Sequence, residues 1–239
     1  MLYHFFLFVL VFTSHSVGSA VLSKQHQWPQ NSELNIVFLD GSTQAKTLVK
    51  IYSVLWIKET NLLFRFFDNL DEAPEKTHIR ISFTNHTGSQ LGNQNDLQSN
   101  NPTMNLLDLV SPQISESGAR QLILHEFGHA LGFEHEFRNP NWPYGKSAID
   151  QVLKKCIPKI KLIGYSVAEA KNRCLLINTV LDTTSILSTA YDENSIMNYT
   201  LNFTDKNNQS VKITRNTRLS YLDLYAIQKW FPKIQPTKL

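Results

Sequence analysis

Residues His125–Glu136 read HEFGHALGFEHE, and the rest of the chain is best understood outward from this stretch. On a helix, positions four apart lie about 40° apart around the axis and one turn up. His125 and His129 therefore face one point, and two imidazoles so placed can ligate one Zn2+ at about 2.0–2.1 Å. Glu126 falls on the same side, close enough to reach a water at the metal without being a ligand itself. Gly132 takes a positive φ at no steric cost, ends the helix and redirects the chain so that His135 returns towards the metal. Three neutral ligands leave a fourth position open, which marks a catalytic site; a structural site is closed by four protein ligands.

A bare HExxH occurs by chance in ordinary helices. Requiring Gly132 and His135 as well lowers that chance by a factor on the order of a thousand, because the chain holds only 9 Gly and 8 His. Roughly 60 residues further on stands Ser195-Ile196-Met197-Asn198-Tyr199. The two stretches together resemble the metzincin zinc metallopeptidases, with HExxHxxGxxH as the metal motif and Met197 as the methionine of the Met-turn, an apolar floor beneath the histidines. Within that class the chain is most similar to the astacin-like group. Three features carry this: His135-Glu136 followed by Arg138, the SIMxY form of the turn, and the stretch from His78 to Leu106.

The resemblance implies a zincin fold of α/β (α+β) class. A twisted, mostly parallel sheet and the active-site helix would fill residues 21–132, and an irregular and helical half with the Met-turn residues 133–239, as one peptidase domain. It implies one catalytic Zn2+ held by His125, His129 and His135, with Tyr199 a further ligand that swings away to stabilise the oxyanion. Glu126 is then the general base of peptide-bond hydrolysis, and proteins or peptides are the substrates. The mature amino terminus would insert near Glu136, which follows the third histidine. Two departures concern the substrate pocket: Asn139-Pro140-Asn141-Trp142 stand where astacins carry Asp and a further Arg, and the usual disulfide set is absent. The competing reading is a secreted module that holds zinc without turnover, although such a module would have no chemical need for Glu126.

Around the motif, LNIVFLD at Leu34–Asp40 reads as a strand ended by Asp40-Gly41-Ser42. Leu48, Val49, Tyr52, Leu55 and Trp56 recur at helical spacing, so Lys46–Glu59 is expected as an amphipathic helix. Leu62–Phe67, His78–Phe83 and Thr103–Leu107 read as strands, with the Asn-, Gly- and Ser-rich stretch Thr84–Asn101 as a loop. Ser115 or Ser117 caps a helix running to about Leu131. Helical patches surround Cys156 and Ala168, and Leu219–Phe231 closes the chain as a helix with Ser220 as N-cap and Pro232 as stop.

Residues 1–20 have a different character. An apolar run from Phe5 to Phe12 leads to Gly18-Ser19-Ala20, the layout of a signal peptide cleaved after Ala20, although Met1–His4 lacks the usual Lys or Arg. The run is too short to span a bilayer, so a secreted or periplasmic protein without a membrane anchor is expected. Cys156 and Cys174 then form a natural pair, closing a loop that stabilises by about 3 kcal/mol, with two free thiols as the alternative. With 42% hydrophobic and 18% charged residues and a net charge of +3, the chain reads as an ordinary globular protein, expected to be a monomer. Its scattered Lys and Arg do not suggest nucleic-acid binding. Of the sequons at Asn85, Asn198, Asn202 and Asn208, the one at Asn198 lies inside the Met-turn, where a glycan would block the cleft.

Overall fold

A near-continuous apolar run makes a strand buried on both faces, and one such run, residues 36–38, anchors the sheet. The computed structural model describes residues 20–94, 97, 99–162, 164, 166–178, 180–188 and 190–233. The expected signal peptide thus lies outside the described residues, except for Ala20. After β1 (Val21–Ser23) come β2 (Glu33–Phe38), α1 (Thr43–Ser53), β3 (Leu63–Phe67), β4 (Ile79–Ser82), β5 (Gly88–Ser89) and β6 (Met104–Asn105). The five-stranded sheet runs β3-β2-β4-β6-β5. All its pairings are parallel except the edge pair β5–β6. This is the mostly parallel sheet of an α/β fold, as expected.

Helix α2 (Glu116–Ala130) follows, capped by Ser115, whose hydroxyl accepts from Gly118 N. One face of the sheet (Leu34, Ile36, Phe38, Ile79, Ile81, Met104) packs with Val49, Leu122, Ile123 and Phe127 of the two helices in one apolar core. Trp28 and Trp56 donate their indole N–H to Ala130 O and Leu124 O, each at 2.8 Å, so α2 is pinned by polar as well as apolar contacts. The helix expected over Lys46–Glu59 lies earlier. Ser42 Oγ accepts from Ala45 N, starting α1 at Thr43, and residues after Ser53 continue in turns. Trp56 still reaches the core from a turn, whereas Leu55 is exposed.

The second half holds α3 (Gly145–Leu162), α4 (Val167–Asn178), β7 (Ile186–Ser188), the antiparallel hairpin β8 (Leu201–Thr204) and β9 (Ser210–Ile213), and α5 (Tyr221–Trp230). Cys156 of α3 is bonded to Cys174 of α4, so the paired alternative holds. A second apolar cluster gathers Phe137, Trp142, Ala148, Leu201, Phe203 and Ile213. β1 pairs antiparallel with β7, and Ala20, Val21 and Leu22 are buried. No helix of the described residues is long and apolar enough to cross a membrane.

Candidate metal centre

Helix α2 ends in a Schellman motif. Gly132, at φ +98°, lets its own N–H reach His129 O at 2.8 Å and Phe133 N–H reach Gly128 O at 2.9 Å. The chain then runs beside β1, with Ser23 N donating to Gly132 O at 3.0 Å and Glu134 N to Val21 O at 2.8 Å. Glu136 N donates in turn to Met197 O at 3.2 Å. His135 is therefore held from both sides, by the first strand and by the turn at Met197. The Glu136 side chain, fully buried, fixes this corner further: its Oε1 accepts from Asn139 Nδ2 and from Asp192 N, both at 2.9 Å.

Each of the three histidines offers a ring nitrogen, and these atoms lie within 4.8 Å of one another. His129 Nε2 and His135 Nε2 are 3.1 Å apart. His125 Nδ1–H donates to Ile196 O at 2.9 Å and His129 Nδ1–H to Phe133 O at 2.8 Å. A carbonyl accepts only, so both rings take the tautomer that leaves Nε2 a lone pair. Metal-binding histidines are oriented in this way, and His125 Nε2 is buried with no hydrogen-bond partner. Three convergent imidazole nitrogens fit a borderline-soft cation such as Zn2+. Desolvation lowers the pKa of His125 to about 3 and lowers that of His129, so both rings are neutral, as metal ligands must be.

Glu126 is buried beside them and makes no hydrogen bond among the described residues. Desolvation lifts its pKa to about 8, against the opposing charge of Arg215. Tyr199 lies over the cluster, its ring centroid 4.3 Å from that of His135 and 5.3 Å from that of His125. Burial and the Glu126 charge raise its phenol pKa, so it remains a hydrogen-bond donor at neutral pH. Met197 is buried, with its sulfur against Gly128 in the turn of α2 between His125 and His129. The structure thus brings together all the residues singled out in the sequence.

Two more residues belong to this region and were not found in the sequence. The Arg215 guanidinium stands 5.2 Å from the Tyr199 ring centroid, on a loop that Asn216 Nδ2 ties to Glu193 O and Ser195 O. No pattern around Arg215 announces it. Asp223, buried at the start of α5, accepts from Ser195 Oγ at 2.7 Å and from Ile196 N at 2.9 Å. Burial raises its pKa to about 6 against the backbone and hydroxyl bonds that lower it. Ser220-x-x-Asp223 has the capping-box spacing, a signal that was available.

No family model and no curated protein matches the chain by sequence. Solved structures do match. One structure of myroilysin is similar with a TM-score of 0.70 and 24% identity, covering 90% of this chain and 100% of that one. A second structure of myroilysin has a TM-score of 0.62 and 27% identity over 88% of this chain and 87% of that one. High choriolytic enzyme 1, a hatching enzyme zinc-protease from Oryzias latipes (medaka fish), has a TM-score of 0.53 and 18% identity, covering 85% and 93%. The first and third likenesses speak to fold alone; the second reaches further into the sequence. Fold, histidine cluster and likeness agree: this is the structure of a zinc metallopeptidase, and the chain is similar to the astacin-like metzincins.

Proposed function

We propose that the chain is a secreted zinc metalloendopeptidase that holds one zinc ion through His125, His129 and His135, with Tyr199 as an additional, displaceable ligand. The observation that carries this is the convergence of three imidazoles, two of them kept neutral by burial, beside the buried Glu126 carboxyl. Zinc, when bound, supplies a Lewis acid for the scissile carbonyl and lowers the pKa of a water. Glu126 takes the proton of the attacking water and hands it to the leaving amine, and a carboxyl lifted towards neutrality by burial is suited to both transfers. The Tyr199 hydroxyl donates to the oxyanion that develops on the carbonyl. Met197 packs under the histidines and limits how far they can shift.

The substrate is a protein or peptide, lying extended along the edge strand β5, which pairs with β6 alone. The protein acts as a monomer, with residues 21–239 as one peptidase domain, outside the cell or in a periplasm. The disulfide supports that placement, since such bonds persist in oxidising compartments.

Cleavage of unstructured casein by the purified protein, with zinc measured in the same sample and a chelator control, tests the proposal. Turnover that stops with chelation and returns with zinc is expected. One bound zinc without cleavage would replace the enzyme by a zinc-holding binding module, and no bound zinc would refute the assignment of the histidines.

A further inference from the structure

A capping box needs only that the acid at the third helical position accept from the N-cap N–H, a task an exposed side chain performs. Asp223 performs it, accepting from Ser220 N at 2.9 Å. Yet it is fully buried, and a carboxylate taken out of water is costly unless its oxygens are used. Both are used, and towards the metal centre. Oδ1 accepts from Ser195 Oγ at 2.7 Å, and Oδ2 from Ile196 N at 2.9 Å. Ser195 Oγ also accepts from Met197 N at 3.0 Å. The residue gripped by its N–H, Ile196, is the one whose carbonyl fixes His125 Nδ1.

We infer that Asp223 is a positioning residue of the metal site, acting on His125 through Ser195 and Ile196. The inference rests on the zinc site proposed above. The same grip extends to the other side of the cluster. Ser220 Oγ donates to Asp192 Oδ2 at 2.6 Å, and Asp192 N donates to Glu136 Oε1 at 2.9 Å, next to His135. A belt of hydrogen bonds thus joins α5 to two of the three histidines without touching the metal. Groups that orient metal-binding imidazoles set affinity by about 10–100-fold, and here the orienting carbonyl is itself held from the far end of the chain.

The test compares Asp223→Ala, Ser195→Ala and, as a helix-cap control outside the belt, Ser42→Ala in the full-length protein. Zinc dissociation constants come from competition with a chromogenic chelator, ligand geometry from the visible d–d bands of the cobalt(II)-loaded protein, and stability from metal-free melting. Asp223→Ala and Ser195→Ala are expected to weaken zinc binding about 10–100-fold and to change the cobalt spectrum. Ser42→Ala removes the cap of α1 and leaves every bond of Asp223, Ser195 and Ile196 in place, so it is expected to lower the melting temperature only. Should Asp223→Ala fail to fold, Ser195→Ala carries the comparison. Unchanged affinity and spectrum in Ser195→Ala would overturn the inference, as would equal losses in all three variants in step with melting. If the parent binds zinc tightly and the variants match it, only the role of Asp223 falls. If the parent binds none, the proposed function falls with it.

Discussion

Met197 Sδ fills the space where a side chain at position 128 would begin: a Cβ on Gly128 would collide with it and press on Trp56. Helix α2 and the turn at Met197 therefore meet at Gly128, with the Met197 side chain filling the gap. Alanine is the better helix former by about 1 kcal/mol, but overpacking a tight contact costs about 1–3 kcal/mol, so packing decides. Gly128→Ala is expected to unfold at lower urea concentration and to bind zinc less tightly. A variant as stable as the parent would show that Met197 has room to turn aside.

The Glu126 carboxyl makes no hydrogen bond among the described residues, and the clustered ligand nitrogens are those of His125, His129 and His135. Glu126→Ala is expected to keep its zinc and lose turnover by at least about 10²–10⁴-fold, the range for a general base. Metal content and kcat measured on the same preparation check both halves. Retained activity would remove Glu126 from the mechanism.

Burial gives the metal-free protein opposing pH dependences. His125, lowered from 6.5 to about 3, binds fewer protons folded than unfolded, so its contribution to stability is lost as pH falls below 6.5. Glu126 and Asp223, raised from 4.5 to about 8 and from 3.8 to about 6, hold protons that the unfolded chain has released. Their contributions are lost as pH rises through those windows. Above 6.5 Glu126 dominates among these groups. The metal-free protein is expected to lose stability between about pH 6.5 and 8, by at most about 1.4 kcal/mol per unit. Melting in chelator, with Glu126→Gln as comparison, reads this directly. A slope that survives in the variant belongs to another group.

The exposed Arg215 guanidinium stands 5.2 Å from the centroid of the Tyr199 ring. An exposed cation at an aromatic ring contributes about 0.5–1 kcal/mol. If the ring is thereby kept over the cluster, Arg215→Ala should lower kcat about 2–5-fold without loss of bound zinc, and Arg215→Lys should restore part of it. Steady-state kinetics on a single peptide, separating kcat from KM, would show this. An unchanged kcat would mean that the contact with His135 alone keeps the ring in place.

The parts legible in the sequence are those with a period or a chemical reason for their spacing. β2 announced itself as an apolar run and β4 by its alternation of Ile79, Ile81 and Phe83, α2 by its cap and its histidines, and Gly132 by the turn that His135 required. The two-residue strand β5 lies in a stretch that reads as a loop, because two residues carry no alternation; its pairing with β6 depends on the completed sheet. The pairing of β1 with β7 joins segments that nothing local connects. At the metal centre, residue types fixed by coordination chemistry were visible. Arg215 was not, since a surface arginine looks the same wherever the loop carries it. Asp223 sat in a readable cap, but its burial comes from the packing of α5 against the turn.

His125 takes its orientation from Ile196 O, so a continuous helical peptide with all three histidines lacks the part that aims the first of them. During synthesis from the amino end, the donor atoms leave the ribosome well before the turn, and α5, which grips the turn, comes later still. The cluster is thus complete in composition long before it is complete in geometry. What aims His125 is therefore a property of the folded chain from end to end and not of the motif that carries the ligands.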